Sequence, residues 1–239
     1  MKSAPVITVT FFRFEGIKNK FWAFTMMRLA HKHMKNIKGL KFYRLMGTGR
    51  GLGFDWKADF SSYAFLAAWE NENQAHKFIA DSAFFQKYQS RAKELFTVFM
   101  QPMRAHGQWD GETPFHPVGD AAGKMIGVIT RATIKNRHLV RFWRNVPHAS
   151  HSLKNSKGLL FAKGIGEWPF KYMATFSLWE DEASMQSYAY QSEGHRKVIN
   201  KTRKLNWFKE DLFARFRPYK FEGTWKGKAL SMQPGLNQN

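Results

Sequence analysis

The chain contains no cysteine. That excludes disulfides, thiolate metal sites and cysteine nucleophiles, and leaves no sign of an oxidising compartment. Acidic residues are scarce: 18 Asp and Glu stand against 38 Lys and Arg, a formal charge of +20 on 239 residues. No Gly-x-Ser-x-Gly occurs, and Ser-His-Asp catalysis has no support. No apolar run approaches the ~18–20 residues that a membrane-crossing helix needs. Met1 to Pro5 leads straight into an alternating segment, without the apolar stretch of a secretory signal. A cytoplasmic location is expected, peripheral at the inner membrane face where anionic lipid meets the basic surface.

What is present is apolar and aromatic. Hydrophobic residues make up 44% of the chain and aromatics 16%, so a packed core is easily supplied. Basic residues are spread through both halves, interleaved with aromatics. Such a field either coats the protein with solvated cations or draws anionic partners. A membrane surface is the favoured partner. Nucleic acid is not, because no RNP-like or helix-turn-helix pattern occurs.

The chain repeats itself. Asn36-Ile-Lys-Gly-Leu-Lys-Phe returns as Asn155-Ser-Lys-Gly-Leu-Leu-Phe. Trp69-Glu70 returns as Trp179-Glu180, and Pro102, Gly107 and Trp109 return as Pro218, Gly223 and Trp225. The spacing of apolar, β-branched and turn residues predicts strands at Pro5–Arg13, Leu40–Met46, Phe60–Trp69 and Leu95–Arg104. Helices are predicted at Asn19–Met34 and Glu72–Lys93. The second half repeats the order: strands at Ile126–Ile134, Gly158–Gly164, Tyr172–Trp179 and Leu212–Tyr219, and helices at Asn136–Leu153 and Glu182–Leu205, the last interrupted near Gly194. Each half therefore reads as β-α-β-β-α-β, the ferredoxin-like unit. The fold class is α+β: tandem ferredoxin-like repeats, 1–115 and 116–239, whose sheets pack against each other as a pseudo-dimeric α+β barrel. Residues 111–124 form the linker, and those after Lys226 a loose tail.

Gly47-Thr-Gly-Arg-Gly-Leu-Gly53 is rich enough in glycine to suggest a phosphate loop, but it lies between two strands, opens no helix and carries no Walker lysine. It reads as a loop over a pocket, added to the first half. His31 and His33 sit two apart on a helix and point in different directions. His148 and His151 can share a helical face but lack a third ligand.

His195 stands out when the copies are aligned on Trp69 and Trp179. Phe85 falls on His195, so the second half has an imidazole where the first has an aromatic hydrophobe. Val198 and Ile199, three and four residues on, share the inward face. Such a residue is either a core histidine bonded to a backbone carbonyl or a ligand or base. As a lone ligand it suits haem, because the porphyrin supplies the other four nitrogens. Arg215 and Arg217 share one face of the last strand where the first half has Phe99 and Gln101, and Arg131 lies in a strand whose counterpart is hydrophobic. These arginines either reach solvent or hold an anion.

The chain resembles the spheroidene monooxygenase family of carotenoid ketolases, over about residues 6–225. The carrying segments are Thr130-Arg-Ala-Thr-Ile134, Arg141-Phe-Trp-Arg-Asn-Val-Pro147, Gly164-Ile-Gly-Glu167, Ala174-Thr-Phe-Ser-Leu-Trp-Glu180, His195 with Thr202-Arg203, and Glu210-Asp-Leu-Phe-Ala-Arg-Phe-Arg-Pro218. Trp168-Pro169 and Lys171-Tyr-Met depart from the family pattern. The resemblance implies a haem-dependent oxygenase of the dimeric α+β barrel group, which also holds chlorite dismutases and aldoxime dehydratases. It implies haem b, with iron held by His195 and an apolar substrate, an acyclic carotenoid. Arg215 or Arg131 would steer dioxygen or anchor a propionate, with Arg217, Trp143, Phe161, Phe176, Val198 and Ile199 around the cofactor. Electrons would come from an external donor, since no flavin or nicotinamide motif is present. Aldoxime dehydration, a peroxide-dependent reaction and a cofactor-free binding barrel are the alternatives, and self-association into a homo-oligomer is open.

Overall fold

The computed structural model describes residues 4–52, 57–119, 122–168, 172–191 and 205–231. Eight strands run β1 (Val6–Arg13), β2 (Leu40–Gly49), β3 (Ala58–Trp69), β4 (Glu94–Gly107), β5 (Ile126–Ile134), β6 (Leu159–Trp168), β7 (Tyr172–Trp179) and β8 (Phe208–Gly223). They close into one antiparallel barrel in the order β1-β3-β2-β6-β7-β5-β8-β4. Each half contributes four neighbouring strands in ferredoxin-like order. The halves join edge to edge, through Gly47 opposite Gly166 at one seam and the long β4–β8 ladder at the other. Closure removes the free edges that an open sheet would present.

The helices are α1 (Ile17–Leu29), α2 (Glu72–Asp81), α3 (Ala83–Gln89), α4 (Leu139–Lys154) and α5 (Glu182–Gln186). The single helix expected over Glu72–Lys93 is two, because Ser82 leaves helical geometry at ψ 128 and its hydroxyl accepts from Phe85 N, capping α3. The predicted glycine loop is shorter than expected: β2 continues through Gly49, drawn out by pairing with β3 and β6. α5 passes into a π-turn at Ser187–Gln191.

The repeated motifs meet in space. Glu70 N donates to Gly39 O and Glu180 N to Gly158 O, each at 2.8 Å. Asn71 and Asp181, which follow the repeated Trp-Glu pairs, cap the next helix by accepting from Gln74 N and Ser184 N. Gly107 and Gly223 both sit at φ 83, where a Cβ would collide with the carbonyl of Asp211 or of Leu95. The chain then turns back, bridging Trp109 to Glu112 and Trp225 to Lys228.

Inward side chains from all eight strands fill the barrel, among them Ile7, Phe42, Leu66, Val98, Ile129, Phe161, Leu178 and Phe216. The helix-facing surface of the first half is equally full: Phe12, Phe14, Tyr63, Phe65, Phe78, Phe85 and Tyr88 are all buried there.

Candidate functional site

The internal repeat supplies a control for the second half, because equivalent strands pair in equivalent register. Val6 lies opposite Trp69 as Ile126 lies opposite Trp179, and Phe42 opposite Ala68 as Phe161 lies opposite Leu178. The helix-facing residues can therefore be compared one by one. Phe12 becomes Ala132, Phe65 becomes Thr175, Tyr43 becomes Ala162 and Leu45 becomes Gly164. These four replacements take three aromatic rings and one isobutyl group from a single sheet face, where Tyr63 also becomes Met173 and Phe99 becomes Arg215. Phe213 in place of Thr97 returns one ring.

Exposure records the consequence. Thr10 is buried, 1% exposed, with its hydroxyl 2.9 Å from that of Thr97. Its counterpart Thr130, mid-strand on the same kind of face, is exposed, and its hydroxyl meets Thr175 at 2.7 Å. The centre of the second half's sheet is therefore less covered by the described residues than that of the first. Around it Val128, Leu153, Ala162, Trp179 and Met185 are buried in one apolar cluster, with Phe213 packed against it. Tyr188 stacks on Trp179 at 5.3 Å.

Arg215 reaches this face. Its Nη1 donates to Glu182 Oε1 at 2.7 Å, its guanidinium lies 5.5 Å from the Phe213 ring, and its buried Nε has no partner among the described residues. A guanidinium with a spare buried donor is suited to an anionic group. Arg217 follows two residues on, buried, and donates to Met125 O at 3.0 Å. Trp143 lies on α4 with its ring perpendicular to Phe142. His195, Val198 and Ile199 lie outside the described residues, as do the side chains of His148 and His151. Among the described residues no three His, Asp or Glu side chains form a metal cluster.

Arg131, Phe161 and Phe176 are on the other face of the sheet, inside the barrel, and do not meet Arg215. The Phe161 and Phe176 rings pack on each other and on Phe11. Arg131 is 2% exposed and pairs with Asp110 Oδ1 at 2.7 Å and with Glu210. Glu210 also accepts from Asp110 N and Gly111 N, both at 2.8 Å, tying down the turn after Trp109. Arg44 completes the group, 2.7 Å from Glu167 and 2.9 Å from Asp110. Burial raises the Glu167 carboxyl above its ordinary range, against the opposing pull of Trp109 Nε1 and Arg44.

The opposite barrel end holds Lys163, 4% exposed, whose Nζ donates to Gly49 O at 2.8 Å and lies 3.4 Å from Asp59 Oδ2. Burial lowers the Lys163 ammonium, with Asp59 opposing. Sequence pattern alone does not reveal these two buried charge groups. Glu94 and Glu210 at matching places in the repeat were the available signal: Glu94 likewise accepts from Lys226 N and Gly227 N.

No family-wide profile matches the chain. Individual relatives do. The chain is 37% identical to the spheroidene monooxygenase of Cereibacter sphaeroides, over 95% of this chain and 72% of the relative. It is 34% identical to that of Rhodobacter capsulatus, over 94% of both. The chain belongs to the spheroidene monooxygenase family. It is therefore an oxygenase, and the residues compared above are those of a spheroidene monooxygenase family member. Solved structures agree on the fold. An aldoxime dehydratase crystallised with butyraldoxime superposes with a TM-score of 0.59 at 8% identity, covering 92% of this chain and 82% of that one. A second aldoxime dehydratase gives 0.59 at 9%, covering 90% and 81%. At that identity the likeness speaks for the barrel alone.

Proposed function

We propose that this chain is a haem-dependent monooxygenase that oxygenates an acyclic carotenoid in a hollow over the helix-facing side of the second half's sheet. The observation that carries the reading is the removal of Phe12, Phe65, Tyr43 and Leu45 equivalents from that one face. The barrel scaffold needs bulk there, and the first half provides it. Its loss in a single copy favours an apolar ligand on that face.

The space suits a porphyrin on two counts. Its floor is sheet carrying the small side chains of Thr130, Ala132, Ala162, Gly164 and Thr175, and beside it the part-buried Arg215 guanidinium holds a buried Nε without a partner among the described residues, fit for a propionate or a distal polar group. Bound there, haem supplies the dioxygen chemistry that no side chain of this protein can perform. His195 is the iron ligand in this reading, a role that rests on the family resemblance.

The chain's own residues hold and orient. Glu182 fixes the Arg215 guanidinium through Nη1, leaving Nε without a partner among the described residues. The Thr130 and Thr175 hydroxyls are the polar points on an otherwise apolar floor. Val128, Ala162 and Phe213 offer the apolar wall that a polyene requires and help keep water from it. Arg131, neutralised by Asp110 and Glu210 inside the barrel, secures the barrel end. The absence of a flavin or nicotinamide motif assigns electron supply to an external donor.

The test is the visible spectrum of the purified chain after haem reconstitution. A Soret band that weakens and shifts in His195→Ala, with slower carotenoid oxygenation in Arg215→Ala, is expected. A chain that gives no haem-protein spectrum under these conditions refutes the haem reading. An unchanged spectrum and haem affinity in His195→Ala removes that residue as ligand.

A further inference from the structure

The strongest unassigned feature lies on the first half, away from the hollow. Five of the eight large apolar residues exposed on the described surface are gathered there: Ile17, Phe21, Phe24 and Leu29 on α1, and Phe60 at the start of β3. Ile17, Phe21 and Phe24 fall at i, i+4 and i+7, one stripe along the outer side of the helix. Their exposures are 87%, 68% and 54%. The Phe24 ring meets Phe60, itself 58% exposed, edge-on at 5.9 Å, which extends the stripe onto the barrel. The inner side of α1 is separately satisfied, with Ala23 and Met26 buried against the sheet. The outer stripe is therefore surplus to folding.

Charge surrounds it. Residues 16–50 contain nine Lys and Arg and no Asp or Glu. Lys18, Arg28 and Lys32 are exposed on or beside α1, and none has an ion-pair partner among the described residues. Beside Phe60 opens a cleft of about 380 Å³ lined by Lys20, Arg50, Gly51, Asp59 and Ser61. The one carboxylate in it is already engaged: Asp59 accepts from Ser61 Oγ and Ser62 Oγ and faces Lys163 Nζ. The cleft thus presents Lys20 and Arg50 outward.

We propose that α1 and the Phe60 corner form a docking surface for an anionic lipid bilayer. Ile17, Phe21, Phe24 and Phe60 would enter the headgroup–acyl boundary. Lys18, Lys20, Arg28 and Arg50 would meet lipid phosphates. An aromatic stripe bordered by cations is the pattern of helices that lie in the membrane interface. A protein partner could use the same apolar stripe, but the cationic excess around it, with Glu15 and Asp59 already paired to Arg13 and Lys163, complements a uniformly anionic sheet. The inference stands apart from the haem reading, because no residue of the hollow takes part.

The experiment is vesicle flotation with the full chain. Vesicles of phosphatidylcholine alone are compared with equal mixtures of phosphatidylcholine and phosphatidylglycerol. The wild type is expected to float with the anionic vesicles and far less with the neutral ones. Phe21→Ser/Phe24→Ser should weaken flotation at least tenfold. Lys18→Glu/Lys20→Glu/Arg50→Glu should do the same, at about 1 kcal/mol or roughly fivefold per charge near the surface. Both variants alter side chains outside the core, and unchanged melting temperatures would show that they fold. Arg137→Glu/Arg141→Glu, on the second half, should float like the wild type. Equal flotation of wild type and Phe21→Ser/Phe24→Ser overturns the proposal. So does a wild type that ignores anionic vesicles but sediments as a dimer that the same variant dissociates. Binding to RNA without binding to vesicles also overturns it.

Discussion

Restoring a first-half residue in the second half should stabilise the ligand-free protein and exclude its ligand. Thr175→Phe is the sharpest case, because Phe65 shows what a phenyl ring does at that register: it is 1% exposed, stacks on Phe78 and packs at a tilt on Phe84. Burying a phenylalanine side chain is worth about 1.5–3 kcal/mol. The exposed hydroxyl pair of Thr130 and Thr175 would be lost, which costs about 0.5–1 kcal/mol. The net expectation is a gain of about 1–2 kcal/mol, or a rise in melting temperature on the order of 2–8 °C for a chain of this size. Urea unfolding of ligand-free wild type and variant measures it. Haem titration of the same samples should show at least tenfold weaker binding by the variant. If the site is instead already filled by protein, the ring overpacks it, and stability falls by about 1–3 kcal/mol. Destabilisation of the ligand-free variant would therefore refute the existence of the hollow.

The buried charges make further predictions. Burial alone would raise Asp59, but hydrogen bonds from Ser61 and Ser62 and the Lys163 ammonium together hold it below its ordinary range. Its stabilising contribution is therefore complete above the unfolded-state value and is lost as pH falls through the folded one. Asp59→Asn should cost about 2–3 kcal/mol at neutral pH, less than a fully buried pair because Asp59 is 24% exposed, and should flatten the acid limb of the stability profile. Glu210→Gln should cost about 3 kcal/mol, since it takes one of two carboxylate partners from Arg131 at 1% side-chain exposure and leaves only Asp110. The equivalent Glu94→Gln should cost only about 1–2 kcal/mol, because Arg13 is 30% exposed and can rehydrate. Equal losses from the two would show that the turn hydrogen bonds, and not the ion pairs, carry the energy.

Much of the architecture was legible in the chain. Strand alternation in Val6–Arg13 and the repeated Gly-Leu, Trp-Glu and Pro–Gly–Trp motifs mark a duplicated ferredoxin-like unit, because each motif builds a local feature such as a turn, a helix cap or a chain reversal. The break at Ser82 was not legible, since Phe78, Phe85 and Tyr88 keep helical spacing across it. The sidedness of the site was harder still. Arg131 and Arg215 both replace apolar residues of the first half, and both read as inward arginines. In a closed barrel each strand has two buried faces, one to the barrel interior and one to the helices. Which of the two a residue occupies follows from register, and register follows from pairing across seams that join residues far apart in sequence.

The sequence by itself determined the repeat, the fold class, the family and the excess of positive charge, because these follow from local pattern and composition. Only the tertiary structure decided that Arg131 is neutralised inside the barrel by Asp110 and Glu210, that Lys163 is buried against Gly49 and Asp59, and that Thr130 is open where Thr10 is closed. The physical reason is that burial and pairing belong to the space between strands, and that space exists only once the barrel has closed.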